Sequence, residues 1–251
     1  NFFFTLFLYF YALIINLFIL NQYIITMKTV ILFILLVLMS LFGFSQKSKP
    51  IFLDFNKDTI TFEQFYAYTI TGEYKAKYNK EAKVRSLIPY KEGELEIELA
   101  KTRERTVTSE KLGTNFPAIN VTDINDKVFS TNLSKGKVIV VNFWFIGCVP
   151  CEFERKTLNA IYNEYKGNPN VVFISFAKSK KIQLQKYLEK KSFLYPIAEL
   201  NEQLINLLDV YSYPQNQIIG KDGKYVFNSH SVSTGSGIIL KEAIDKALAS
   251  L

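Results

Sequence analysis

The chain has 251 residues, 49% of them hydrophobic and 15% aromatic, with 30 Lys and Arg against 23 Asp and Glu for a net charge of +7. That positive charge is modest and dispersed: groups such as Lys178, Lys180 and Lys181 have no stacking aromatic platform or nucleic-acid motif beside them, which argues against a nucleic-acid partner. Two cysteines and one histidine fall short of the four ligands of a structural zinc site, so no metal is expected.

Residues 1–26 carry no charge and are mostly Phe, Leu, Ile, Tyr and Asn. Two readings stay open for them: sequence upstream of a misplaced start, or a membrane helix, because Phe2 to Ile25 exceeds the roughly 20 apolar residues that a bilayer demands. Residues 27–45 have the layout of a secretory signal, with Met27 and Lys28, the apolar stretch Val30 to Phe42, and the small-x-small site Gly43-Phe44-Ser45. Gln46 would then begin the mature protein. These features predict export to the periplasm or cell envelope, with membrane anchoring as the alternative to cleavage.

Residues 46–110 read as a polar extension rich in Lys, Glu and Tyr, in which no chemistry is visible. Leu95, Ile97 and Leu99 alternate, which predicts a half-buried strand. Thr61 to Tyr68 suits either a short helix or a strand.

Residues 111–251 predict one compact α/β domain. Pro117 to Thr122 and Val128 to Ser130 are expected to pair across a turn at Asn125-Asp126. Val138 to Trp144 is nearly all apolar, as a central strand covered on both faces should be. Phe153, Leu158, Ile161, Tyr162 and Tyr165 then recur at helical spacing until Gly167-Asn168-Pro169 stops them. Val171 to Phe176 predicts a second buried strand, and Lys180 to Lys191 and Glu202 to Val210 predict helices. Gln217 to Ile219 and Tyr225 to Phe227 form a hairpin around Lys221-Asp222-Gly223, and Ile238, Ile239, Ala243, Ile244, Ala247 and Leu248 line one face of a last helix. The order predicts a mixed sheet flanked by helices.

The two cysteines stand as Cys148-Val149-Pro150-Cys151, where the central strand hands over to a helix. A bridge across so short a loop adds little stability, which leaves dithiol exchange as the leading chemistry. A thiol with a pKa of about 8.5 is only about 3% thiolate at pH 7, whereas a pKa of about 7 gives roughly half. Unpaired backbone N–H groups and the macrodipole at a helix start favour the anion. Cys148, expected at an exposed lip, is therefore assigned as nucleophile, and Cys151, one turn inside, as the resolving thiol. Pro150 stiffens this turn and sits where its missing N–H goes unused. Glu154 follows Cys151 by three residues, so both lie on one helix face.

Four blocks together resemble the TlpA/ResA group of exported, thioredoxin-like thiol-disulfide oxidoreductases, over Gly113 to Leu251. They are Gly113-Thr114-Asn115-Phe116-Pro117, Gly136-Lys137-Val138 through Asn142-Phe143-Trp144, the Cys148 to Cys151 motif, and Tyr213-Pro214 followed by Ile218-Ile219-Gly220-Lys221-Asp222-Gly223-Lys224. The resemblance implies a thioredoxin-like fold and reduction of disulfides in exported protein substrates such as apocytochromes, as in cytochrome c maturation. It also implies a membrane thiol as electron donor and no cofactor beyond the Cys148–Cys151 disulfide. It gives Glu154 control over protonation of the buried thiol, against the plainer role of a first-turn acid that complements the helix dipole. Tyr213-Pro214 matches the family's cis-proline loop, expected to meet substrate together with Trp144, Val149 and Pro150.

The chain departs from the family pattern at Gly147, usually Trp, and at Lys156, commonly Pro. Two rival functions exist on the same fold. A Sco-like copper module would recruit His230, but such proteins place three residues between their cysteines. A peroxiredoxin needs Pro and Thr or Ser ahead of its reactive cysteine, where this chain has Phe145-Ile146-Gly147.

Overall fold

The computed structural model describes residues 17–35 and 49–250. They fall into two units, divided at Lys49 and Pro50. In the first, helix α1 (Leu17–Leu35) has a mean hydropathy of 1.8 and is long and apolar enough to cross a membrane by length and composition. At 1.5 Å per residue it is about 28 Å long, close to the thickness of a hydrocarbon core. It runs unbroken through Met27 and Lys28. The expected cleavage site Gly43-Phe44-Ser45 and Gln46 lie outside the described residues.

The second unit is built on a five-stranded sheet in the order β11-β10-β7-β8-β9. Its centre is β7 (Val138–Trp144), buried at every position as its apolar run requires. β8 (Val171–Ala177) and β9 (Ile197–Glu199) extend it in parallel, while β10 (Gln215–Ile219) and β11 (Tyr225–Ser229) add the antiparallel hairpin. Helix α4 (Val149–Tyr165) crosses from β7 to β8. Helices α5 (Lys181–Leu188), α6 (Glu202–Leu208) and α7 (Ser236–Ala249) complete the layers. One core lies between the sheet and α4 and α7, around Val138, Val140, Leu158, Ile161 and Ile244. The other face carries Ile139, Val141, Phe143, Ile174 and Phe176. A small hairpin of β5 (Asn120–Thr122) and β6 (Val128–Ser130) precedes the sheet.

Residues 51–106, expected as a polar extension, form a second sheet and two helices. β2 (Thr59–Ile60), β1 (Ile51–Leu53), β4 (Val84–Pro89) and β3 (Tyr74–Asn79) pair in that order. Helix α2 (Phe62–Thr71) starts at a capping box between Thr61 and Gln64 and covers the sheet through Phe52, Phe65 and Leu87. Gly72 ends it at φ +78, where a Cβ would come within 2.4 Å of Ile238 Cδ1. That position therefore needs glycine both for its left-handed backbone and for the close approach to α7.

The strand expected around Leu95, Ile97 and Leu99 is instead helix α3 (Glu94–Thr106). Leu95 and Leu99 are four apart and pack towards the main core, whereas Ile97 is 58% exposed. The apparent alternation is one buried helical stripe plus one solvated residue.

Candidate active site

The end of β7 and the start of α4 place the two cysteines. Gly147 lies at φ +93 with open space where a Cβ would be, so the left-handed backbone alone favours glycine there. Cys148 is the N-cap residue, with extended backbone, and its Sγ accepts from Cys151 N at 3.3 Å. Val149 and Pro150 occupy the first turn. The sulfurs are joined as a disulfide with Cα atoms 5.3 Å apart.

Cys148 is 4% exposed and Cys151 8%, which corrects the expectation that Cys148 sits at an open lip. The cause is packing from above and below: both cysteines belong to a cluster with Trp144, Ala177 and Leu184, against which Ile146 and Tyr213 also pack. Trp144 is corrected in the same way. It is 4% exposed and donates from Nε1 to Ser175 Oγ at 2.8 Å, so it walls the site from inside and offers substrate no surface.

The exposed rim is made by Phe145, Val149 and Pro150. Tyr213-Pro214 is the one cis peptide among the described residues, and it leads into β10 beside β7. The Tyr213 ring meets Phe145 edge to face at 5.2 Å, tying this loop to the loop that carries the cysteines. The exposed aromatic Phe145 escaped sequence reasoning, because nothing in its local pattern separates a rim residue from the end of a buried strand.

Glu154 is 3% exposed, one turn beyond Cys151. Burial pushes its carboxyl up to about 8, against a smaller lowering by a hydrogen bond from Asn216. Asn216 Nδ2 donates to Glu154 Oε1 at 2.8 Å, and Oε2 has no partner. Behind Asn216 runs a buried file of donors: Trp144 Nε1 to Ser175 Oγ, Ser175 Oγ to Asn142 Oδ1, and Asn142 Nδ2 to Asn216 Oδ1. Register explains the file, since Asn142 lies between Asn216 on β10 and Ser175 on β8 and all three point to the α4 face. Tyr195 lies near enough that the Glu154 charge adds to burial in raising its phenol.

A narrow cavity next to Cys151 is lined by Asn142, Trp144, Glu152, Arg155 and Tyr187. Glu152 accepts from the Tyr187 hydroxyl and faces Arg155 and Lys191. Among the described residues no three His, Cys, Asp or Glu side chains gather as a metal site would require. His230 directly follows β11, with its ring 6.0 Å from that of Tyr211.

Comparison with known proteins places this geometry. Residues 112–227 match the AhpC/TSA family. The chain is 29% identical over 117 residues to the thiol-disulfide oxidoreductase ResA of Bacillus cereus, spanning 46% of this chain and 68% of that protein. Over this segment the chain is similar to the ResA-like thioredoxin family. The ResA of Geobacillus kaustophilus matches at 26% over 145 residues, covering 57% of this chain and 80% of its relative. Two solved structures share the fold. One is a thiol:disulfide interchange protein DsbE from Chlorobium tepidum, at 20% identity, TM-score 0.51, and 55% and 98% coverage of the two chains. The other, described as a protein disulfide isomerase from Bacteroides thetaiotaomicron, has 17% identity, TM-score 0.53, and 58% and 94% coverage. The AhpC/TSA match begins at residue 112, after α3, so residues 51–106 lie outside it.

Proposed function

We propose that this ResA-like chain is a thiol-disulfide oxidoreductase that reduces disulfides of exported proteins, with Cys148 as nucleophile and Cys151 as resolving thiol. The observation that carries the reading is the cysteine pair at the first turn of α4, beside the Tyr213-Pro214 loop. In the reduced enzyme the Cys148 thiolate attacks one sulfur of a substrate disulfide. That S–S bond breaks, one substrate thiolate leaves and takes a proton, and a mixed disulfide forms. Cys151 then loses its proton and attacks Cys148 Sγ. The mixed disulfide breaks, the second substrate thiol departs, and the Cys148–Cys151 disulfide remains. Two electrons and two protons have passed to the substrate. A membrane-bound dithiol donor restores the enzyme, and α1 supports a place at the cell envelope.

Glu154 is the proton store for this cycle. Neutral at pH 7 because it is buried, it holds a proton one helical turn from Cys151 without placing a fixed negative charge beside the thiolates. Tyr213, Val149, Pro150 and Phe145 form the surface on which an extended substrate segment lies, with the buried Pro214 shaping the loop from beneath. Reductant rather than oxidant action, and apocytochromes as substrates, are carried over from the resemblance to the TlpA/ResA group; the name of the ResA relatives supports the thiol-disulfide exchange itself.

The AhpC/TSA match makes peroxide reduction the second reading, although Phe145-Ile146-Gly147 stand where a peroxidatic cysteine has Pro and Thr or Ser. One assay separates them. The reduced protein is offered a disulfide peptide and hydrogen peroxide in competition, as wild type and as Cys148→Ser. Preferential oxidation by the disulfide, lost in Cys148→Ser, is expected. Faster consumption of peroxide would replace this reading with the second. Cys151→Ser is expected to accumulate the mixed disulfide.

A further inference from the structure

The segment 51–106 is more than a neighbour of the catalytic domain: its helix α2 lies along α4. Phe153, two residues after Cys151, packs against two aromatic rings of α2 in a triangle, with centroids 5.0 Å from Phe62 and 5.1 Å from Tyr66, the latter stacked, while Phe62 and Tyr66 are themselves 4.6 Å apart. Beside this stack is a cluster of four charges. Arg155 reaches Glu63 of α2 at 3.6 Å and Glu152 at 3.5 Å, and its Nη1 donates to Ser192 O at 2.7 Å. Lys191 approaches Glu63 at 3.8 Å and Glu152 at 3.4 Å. The Arg155 side chain is only 11% exposed. Arg155 and Glu152 also line the narrow cavity shared with Cys151.

Two acids and two bases make the cluster neutral as it stands, but one of the acids belongs to α2. Without Glu63 the remaining Glu152, Arg155 and Lys191 carry one net positive charge at the first turn of α4. Such a charge favours thiolate over thiol, adding to the pull of the helix N-terminus.

We propose that α2 is a tuning clamp on the active-site helix, with Glu63 as the positioning residue that neutralises the Arg155–Lys191 side of the cluster and Phe62 and Tyr66 holding Phe153. The module thereby keeps the dithiol more reducing than the bare domain would be. This rests on the redox role proposed above for the cysteines. The charged and titratable groups facing the first turn are Glu63 from α2, Glu152, Glu154 and Arg155 from α4, Tyr187 and Lys191 from α5 and the segment after it, and Tyr213 from the cis-proline loop. Among them Glu63 is the one whose removal changes the charge without touching the catalytic domain.

The test uses the full chain carrying Glu63→Gln, Glu63→Lys, or Glu73→Gln as a control at an exposed position just after α2. Thiol acidity is read from the pH dependence of Cys148 alkylation, and the potential from equilibrium with a glutathione buffer. Both are measured on the cysteine pair itself and need no protein substrate. Failure of the disulfide-reduction reading would therefore show in the competition assay and not here. For Glu63→Gln the alkylation midpoint should fall by on the order of half a pH unit at low salt, and the thiol–disulfide equilibrium should shift about threefold towards the dithiol. Glu63→Lys should shift both about twice as far, and added salt should shrink each shift. Thermal stability should change little, because the charges are partly solvated. No shift, a shift of opposite sign, or an equal shift in Glu73→Gln would overturn the proposal.

Discussion

Asn216 on β10 donates a 2.8 Å hydrogen bond to Glu154 on α4, and both side chains are almost wholly buried. This contact joins the strand that follows the cis-proline loop to the helix that begins at the cysteines. It partly offsets the rise that burial gives the Glu154 carboxyl.

Glu154 gives the oxidised protein a pH-dependent stability. Its carboxyl is raised from 4.5 to about 8, so between those values the folded state binds a proton that the unfolded chain has released. Stability is then full below about pH 4.5 and falls as pH rises towards 8, at up to about 1.4 kcal/mol per pH unit. Urea denaturation at pH 5, 6.5 and 8 should show this decline in wild type and a flatter profile in Glu154→Gln. An identical slope in both proteins would remove Glu154 as the cause.

Replacing Asn216 acts on the same equilibrium from the donor side. Asn216→Leu deletes the bond that lowers the Glu154 carboxyl, so its midpoint should move above 8. It also strands the Asn142 amide, at a cost of about 1–3 kcal/mol. Fourier-transform infrared titration of the carboxyl band reads the first effect, and denaturant unfolding reads the second.

Phe153→Ala should cost about 3–5 kcal/mol, the usual loss for a buried aromatic. Because Phe153 is the ring of α4 that packs against both Phe62 and Tyr66 of α2, the loss should fall mostly on the attachment of residues 51–106. Hydrogen exchange should rise in α2 before it rises in β7. Uniform acceleration across both would show that the two regions open together regardless of this ring.

Phe145→Ala removes the edge-to-face contact with Tyr213, worth about 0.5–1.5 kcal/mol. Phe145 is 36% exposed, so the loss in fold stability should be small. The effect should appear as a higher KM for disulfide peptides with kcat retained. A fall in kcat alone would place Phe145 in the chemistry instead of the docking surface.

Much of the domain from residue 111 onward was legible because local rules and tertiary structure agree there. Val138 to Trp144 has no polar face to expose except through Asn142, and it became the central strand. The cysteine pair marked the first turn of α4 because a short apolar strand must hand over near Gly147. What stayed hidden was set by distant partners. Nothing near Glu63 or Tyr66 announces that they meet residues ninety positions away on α4. The burial of Cys148 depends on Ile146, Tyr213 and Leu184 closing around it from three elements. At residues 94–106 a helical signal was present but outweighed by the alternation. Glu94 and Glu96 stand in the first turn and Arg103 and Arg105 in the last, the charge order a helix dipole favours.

The file that ends on Glu154 has a direction. An indole N–H can only give, so Ser175 must receive from Trp144 and pass its own hydrogen to Asn142, which fixes both amides in turn. The near oxygen of Glu154 is thus permanently spoken for as a receiver, and any hydrogen the acid carries must ride on Oε2. The carboxyl is loaded and unloaded from one side only, a handedness it inherits from a tryptophan four hydrogen bonds away.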